Sequence, residues 1–112
     1  MILHKELTAE RWYQFSLFEQ LANVGTDIER AIQWKKRGKE DDSQKALERA
    51  LELLDYTIFD PKNKGSKRRE LCRVREALKD YFWGDNEYGS TDELWSNYFY
   101  AFNYAAALQK GR

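Results

Sequence analysis

The chain of 112 residues has few of the residue types that cross-link small proteins or bind metals. It contains one cysteine, Cys72, one histidine, His4, and one proline, Pro61. A single cysteine excludes an intramolecular disulfide, and one cysteine with one histidine cannot form a zinc site within one chain. The sequence also lacks a Walker-type loop and a GxGxxG motif. We therefore expect no metal, no cofactor and no catalytic centre.

Net charge and long apolar segments are absent too. Lys and Arg number 19 and Asp and Glu number 19, so overall charge does not drive binding to nucleic acid or membranes. No window reaches the roughly 18–20 apolar residues of a membrane span, and the N-terminus has no apolar core of signal-peptide length. We expect a single cytoplasmic domain over residues 1–112 without a membrane partner.

The sequence does have apolar residues at helical spacing. Four helices are predicted, over residues 8–37, 43–59, 67–83 and 90 or 91–109, and no segment alternates as a β-strand does. The expected N-caps are Thr8, one of Asp41, Asp42 and Ser43, then Ser66, and finally Ser90 or Thr91. Short polar connections predict an all-α, antiparallel up-down four-helix bundle with a long first helix.

Gly25 lies inside the apolar face of the predicted first helix. Such a glycine indicates a close approach of another helix, or a kink or break between two shorter helices. The apolar pattern keeps its phase across Gly25, and we therefore predict one continuous helix.

Residues 94–109, LWSNYFYAFNYAAALQ, contain no charge in a chain that is 34% charged. Trp95, Phe99, Phe102 and Ala106 share one side of the predicted helix, as any bundle core requires. Tyr100, Tyr104 and Ala107 lie across the helix from that stripe, where a surface helix normally carries charge.

The second stripe predicts an interface. Tyr and Trp are enriched at interfaces, and we predict that Tyr100, Tyr104, Ala107 and Trp34 bind a second copy, most simply in a dimer. In the alternative, the first helix folds over this stripe within one chain. The protein could then be a monomer, and the uncharged helix would be informative about the fold alone.

A basic pole is the other candidate site. The predicted topology brings the second connection to the same end as both termini, where Lys62, Lys64, Lys67, Arg68 and Arg69 meet Lys5, Arg11, Lys110 and Arg112. Cationic clusters at a helix N-terminus can bind phosphates of nucleic acid. The plainer interpretation is solvated charge that confers solubility.

The segment GDNEYGSTDE, residues 84–93, contains oxygen ligands at short spacing but fails the EF-hand pattern, because Gly89 and Ser90 occupy the fifth and sixth positions counted from Asp85. A turn that leads into a capped helix is the better interpretation. Cys72, on the flank of its helix stripe, is predicted to be a half-buried structural residue.

The runs LANVGTDIERAIQWKKRGKEDDSQKALERALELLDYTI and RRELCRVREALKDYFWGDNEYGSTDELWSNYFYAF resemble a family of small prokaryotic four-helix-bundle proteins without an assigned activity. More distantly, the architecture is similar to the HEPN superfamily, whose RNases carry an Arg-x(4–6)-His motif in a late helix. No histidine follows position 4, so the resemblance implies a non-catalytic member. The chain also resembles the small bundle accessory proteins of reverse-transcriptase systems, although no motif matches.

The expected function is that of a non-enzymatic interaction or accessory protein that self-associates. The alternative is a nucleic-acid-binding accessory subunit that uses the basic pole.

Overall fold

The computed structural model describes residues 8–110, and these residues are all-α. Short loops and one 3₁₀ turn connect five α-helices, and no strand occurs in this part of the chain. The helices are α1 (Ala9–Tyr13), α2 (Leu17–Lys36), α3 (Glu40–Phe59), α4 (Ser66–Trp83) and α5 (Asp92–Lys110), with the 3₁₀ turn at Pro61–Asn63. No helix among residues 8–110 is both long and apolar enough to cross a membrane.

The prediction of a single helix over residues 8–37 is wrong, because the helix is interrupted between Tyr13 and Leu17. Ser16 Oγ accepts a hydrogen bond from the Glu19 amide at 3.1 Å, and Glu19 Oε1 accepts one from the Ser16 amide at 2.9 Å. This reciprocal capping box starts a new helix at Leu17. The predicted cap Thr8 does begin α1, since its Oγ accepts a hydrogen bond from the Arg11 amide.

Helix α1 folds back onto α3 instead of extending α2. Trp12 is buried, and its indole Nε1 donates a hydrogen bond to Thr57 Oγ1 at 2.9 Å. The Thr57 hydroxyl in turn donates a hydrogen bond to the Leu53 carbonyl at 2.8 Å. The short helix is therefore held by one buried aromatic side chain whose polar atom has a partner.

Gly25 lies within α2, which continues through it as predicted. A Cβ built at Gly25 would lie 2.5 Å from Phe99 Cβ, closer than real side chains approach. The glycine therefore permits the close approach of α5 to α2.

Two of the remaining helix starts differ from their predicted positions. α3 begins at Glu40, and Ser43, instead of capping it, is buried and donates a hydrogen bond to the Ala31 carbonyl of α2 at 2.7 Å. α4 begins at Ser66 itself after Gly65, which has a φ of 79°, and no side chain caps this helix. Thr91 is the cap of α5, as its Oγ1 accepts a hydrogen bond from the Leu94 amide at 3.0 Å.

The core is centred on α2, which packs against both α3 and α5, while α4 packs mainly on α3. Its largest fully buried apolar side chains are Val24, Ile28, Ile32, Leu47, Leu54 and Leu78. Helix α5 is thus a peripheral helix with one covered side.

Candidate interaction surface

The covered side of α5 is the predicted one. Trp95, Phe99 and Ala106 are buried, and Phe102 packs partly buried against the same core. The rings of Trp95 and Phe99 stack with centroids 6.0 Å apart, and Tyr98 meets both in edge-to-face contacts. Burial raises the pKa of the half-buried Tyr98 hydroxyl, and the nearby Glu70 carboxylate raises it further. This aromatic cluster anchors α5 to the core.

The opposite side of α5 is open to solvent. Tyr100 is 63% exposed, Tyr104 58%, Leu108 53% and Leu94 47%, and Ala107 is exposed as well. The described part of α1 packs on α3 and does not cover these residues. Large apolar side chains that stand together on one helix without charge are typical of a contact surface.

A groove of about 880 Å³ runs between α2 and α5 beside this open side. Trp34 from α2 and Tyr100 from α5 both line it, so the structure brings these two predicted interface residues to one surface. The Arg37 guanidinium lies 5.5 Å from the Trp34 ring centre. Ser96 Oγ donates to Glu29 Oε2 at 2.7 Å and links the two walls of the groove.

Tyr104 does not line this groove, and Ala107 lines a smaller depression further along the same two helices. That depression is bounded by Phe15 and by Lys110 near the ends of the helices. Three of the four predicted interface residues, Trp34, Tyr100 and Ala107, therefore line the α2–α5 side, and Tyr104 is exposed on α5 outside both depressions.

Leu94 and Leu108 are two further interface candidates that the sequence analysis did not predict, because they lie outside the stripe of Tyr100, Tyr104 and Ala107. They are separated from each other by 14 positions, which is two heptads, and this spacing was readable in the sequence.

The basic pole is divided by the structure into bound and exposed residues. Lys62 Nζ donates to the Tyr13 carbonyl at 3.0 Å and forms an ion pair with the Asp60 carboxylate. Arg68 donates from Nε to the Ile58 carbonyl at 2.7 Å and from its terminal nitrogen to the Asp60 carbonyl at 3.1 Å. These two predicted site residues therefore stabilise the end of α3.

Lys64, Lys67 and Arg69 are exposed near the start of α4. Lys110, which was also assigned to the pole, lies 3.7 Å from a Glu19 carboxylate oxygen. Lys5 and Arg112 lie outside the described residues. The cationic surface of the pole is consequently smaller than the sequence predicted.

Asp60 is the centre of a buried polar network under the pole. Its Oδ2 accepts a hydrogen bond from Gln20 Nε2 at 2.8 Å, and Asn63 Nδ2 donates to Gln20 Oε1 at 3.1 Å. Burial alone would raise the pKa of Asp60, but its bonds with Lys62 and Gln20 outweigh this effect and lower the pKa. The network joins α2, the end of α3 and the 3₁₀ turn inside the fold, although the buried Asn63 Oδ1 has no hydrogen-bond partner in it.

The loop between α4 and α5 is a structured turn. The Asp80 carboxylate accepts hydrogen bonds from the amides of Glu87 at 2.9 Å and Tyr88 at 3.1 Å. Asn86 and Gly89 adopt positive φ angles in this turn. Within residues 8–110, no group of three or more His, Cys, Asp and Glu side chains is placed to hold a metal ion.

Cys72 is exposed, and the prediction of a half-buried residue is wrong. It lies on the outer side of α4, away from the buried Leu71 and Val74. His4 lies outside the described residues.

No protein-family model matches the chain, and neither a curated protein nor a solved structure is significantly similar to it.

Proposed function

We propose that this chain is a non-enzymatic interaction protein that self-associates, most simply as a dimer, through the open side of α5. One observation carries the proposal. From Leu94 to Gln109 the helix has no charged residue, and yet its outer side, including Tyr100 and Tyr104, is exposed to solvent. An exposed helix side normally carries charge, and tyrosines on such a side supply large contact area with a polar tip.

The bundle is proposed to have the antiparallel up-down order of the HEPN-like bundles that the sequence resembles, without their catalytic motif. Two contacts support the antiparallel direction of α5 relative to α2. Ser16, before α2, donates to Gln109 near the end of α5 at 3.0 Å, whereas Lys35 near the end of α2 lies 3.5 Å from Asp92 at the start of α5.

Charge placed on the open side tests the proposal. Changing Tyr100 and Tyr104 together to Glu would bury two carboxylates at the contact, which is unfavourable without partners. We expect the doubly substituted chain to sediment as a monomer at concentrations where the unmodified chain sediments as a dimer.

Tyr88→Glu is the matched control. Tyr88 is 70% exposed but lies in the α4–α5 turn, outside the proposed surface. This variant should keep the dimer. If the doubly substituted protein still forms the dimer, Tyr100 and Tyr104 do not lie in the contact.

Binding of nucleic acid by the basic pole is a second candidate function. It is favoured by the exposed Lys64, Lys67 and Arg69 at the start of α4, whose first turn contains no acidic residue. It is weakened by the engagement of Lys62 and Arg68 within the fold.

An anisotropy titration with RNA and DNA at two salt concentrations separates the two functions. If the pole binds nucleic acid, replacing Lys64, Lys67 and Arg69 with Ala should lower the affinity and reduce the steepness of its salt dependence, since each phosphate contact releases counterions. Arg68 is left in place because it holds α3 to α4. Absence of binding at low salt would exclude this function.

A further inference from the structure

The exposed side of α5 has the spacing of a coiled-coil seam. Its residues are separated alternately by three and four positions, as at the a and d positions of a heptad repeat. We call these five residues the α5 seam: Leu94, Asn97, Ala101, Tyr104 and Leu108. All five are exposed, and the buried core stripe lies on another side of the helix.

The α5 seam has nearly the same pattern in both directions. Ala101 is at its centre, a leucine stands seven residues away on either side, and Asn97 and Tyr104 lie between. A two-fold contact uses the same patch on both partners, so it requires a surface that is complementary to its own inverted copy. The seam meets that requirement when the two helices run antiparallel.

We propose that a second copy of this chain packs its α5 antiparallel on the α5 seam, with the two-fold axis at Ala101. This inference rests on the proposed self-association and specifies its geometry. Leu94 of one copy then packs on Leu108 of the other, and the two Ala101 side chains permit a close approach of the helices. The Tyr104 hydroxyl is placed to donate a hydrogen bond to the Asn97 side-chain carbonyl of the other copy.

The charges at the two ends of α5 favour this orientation over a parallel one. The first turn carries Asp92 and Glu93, and the last turn carries Lys110. An antiparallel pair places Glu93 of one copy near Lys110 of the other, and it opposes the two helix dipoles favourably. A parallel pair would place the acidic first turns of the two copies side by side, and likewise their two Lys110 side chains.

The size of the seam indicates a dimer that depends on concentration. Residues 94–108 span roughly 21 Å at 1.5 Å per residue. A pair of helices of this length buries less than the about 1,200 Å² that marks the lower limit of standard stable complexes. We therefore expect an equilibrium between monomer and dimer that shifts to dimer as the concentration rises.

Disulfide trapping tests the geometry directly, because Cys72 is the only native cysteine and a Cys72→Ser chain provides a thiol-free background. In that background, Ala101→Cys should form a disulfide-linked dimer under mild oxidation, because the two Cα atoms meet at the axis. Leu94→Cys alone should not, because its two copies would lie about 21 Å apart. A mixture of Leu94→Cys and Leu108→Cys chains should form the mixed dimer.

Each alternative has its own outcome. Efficient trapping of Leu94→Cys with itself would show a parallel pair and overturn the proposed orientation. A dimeric mass for the Cys72→Ser chain with no trapping at Ala101, or between Leu94→Cys and Leu108→Cys chains, would overturn the seam while leaving self-association in place. A monomeric mass at high micromolar concentration would overturn both. Circular dichroism of each variant checks that these exposed substitutions leave the helices intact.

Discussion

At the scale of single residues, Gly25 and Asp60 show how α2 is positioned between its neighbours. Gly25 lets Phe99 of α5 approach the α2 backbone, because a Cβ there would lie 2.5 Å from Phe99 Cβ. Asp60 is buried at the end of α3 and accepts a hydrogen bond from Gln20 of α2. One residue therefore sets the distance to α5, and the other fixes α2 to α3.

Gly25→Ala should destabilise the protein even though alanine is the better helix former. The intrinsic gain is about 1 kcal/mol, but overpacking against Phe99 costs typically about 1–3 kcal/mol. We expect a net loss of roughly 1 kcal/mol in the free energy of unfolding, measured by urea denaturation. Asn23→Ala, at an exposed position of the same helix, should be nearly neutral. A clear gain in stability for Gly25→Ala would contradict the close approach.

Asp60→Asn should reduce stability at neutral pH and make stability less sensitive to acid. Removing the charge weakens the bonds from Gln20 and Lys62 by roughly 2 kcal/mol in total. The pKa of Asp60 is lowered from 3.8 by these bonds. Its stabilising contribution is therefore fully present above pH 3.8 and is lost as the pH falls through the lower folded-state pKa.

Thermal melts of Asp60→Asn and the unmodified chain at a series of pH values below 6 provide the check. The melting temperature of the unmodified chain should fall more steeply below pH 4 than that of the variant. Parallel curves would show that Asp60 is not stabilised as an anion in the fold.

At the scale of helices, side-chain N-caps fix the start of α2 and α5, whereas α3 and α4 begin without one. The capping box of Ser16 and Glu19 separates α1 from α2, whereas Ser66 at the start of α4 makes no capping bond. The bond from the Ser16 amide is the main reason that the pKa of Glu19 is lowered. The two serines therefore form a matched pair, one with a capping role and one without.

Ser16→Ala should lower the free energy of unfolding by about 1 kcal/mol, the usual cost of losing a cap. Ser66→Ala should change it by less than about 0.5 kcal/mol, as is normal for a surface substitution. Urea denaturation of both variants at pH 7 measures the difference. Equal losses in the two variants would contradict the assignment of the caps.

The sequence predicts the all-α fold, the continuity of α2 through Gly25 and the buried stripe of α5, because helical spacing of apolar residues reports these directly. It does not predict the break before Leu17. The residues of the capping box, S-x-x-E at Ser16 and Glu19, are present, but the apolar pattern continues across them. Long-range contacts hold α1 away from the axis of α2, among them the bond from Trp12 to Thr57 and the bond from Lys62 to the Tyr13 carbonyl.

Part of each candidate site can be predicted from the sequence, and the rest depends on contacts that form only in the folded chain. The uncharged side of α5 can be read from composition, and Tyr100 and Tyr104 are exposed as such a surface requires. The engagement of Lys62 and Arg68 depends on the carbonyls of Tyr13 and Ile58, which only the folded chain brings near them. Sequence spacing does not report such contacts between side chains and distant backbone atoms.

At the scale of the whole molecule, the most informative feature is that α5, whose residues 94–109 carry no charge, lies at the periphery of the described bundle. Helix α2 takes the central position between α3 and α5, and one side of α5 remains open within residues 8–110. A second copy that covers the α5 seam accounts for this composition, which the fold of one chain does not require.

The molar mass of the unmodified chain in solution tests this account most directly. Light scattering over a concentration series that reaches high micromolar should show a mass that rises towards twice the 13.4 kDa of one chain. A mass that stays at that of one chain over the whole series would contradict the account.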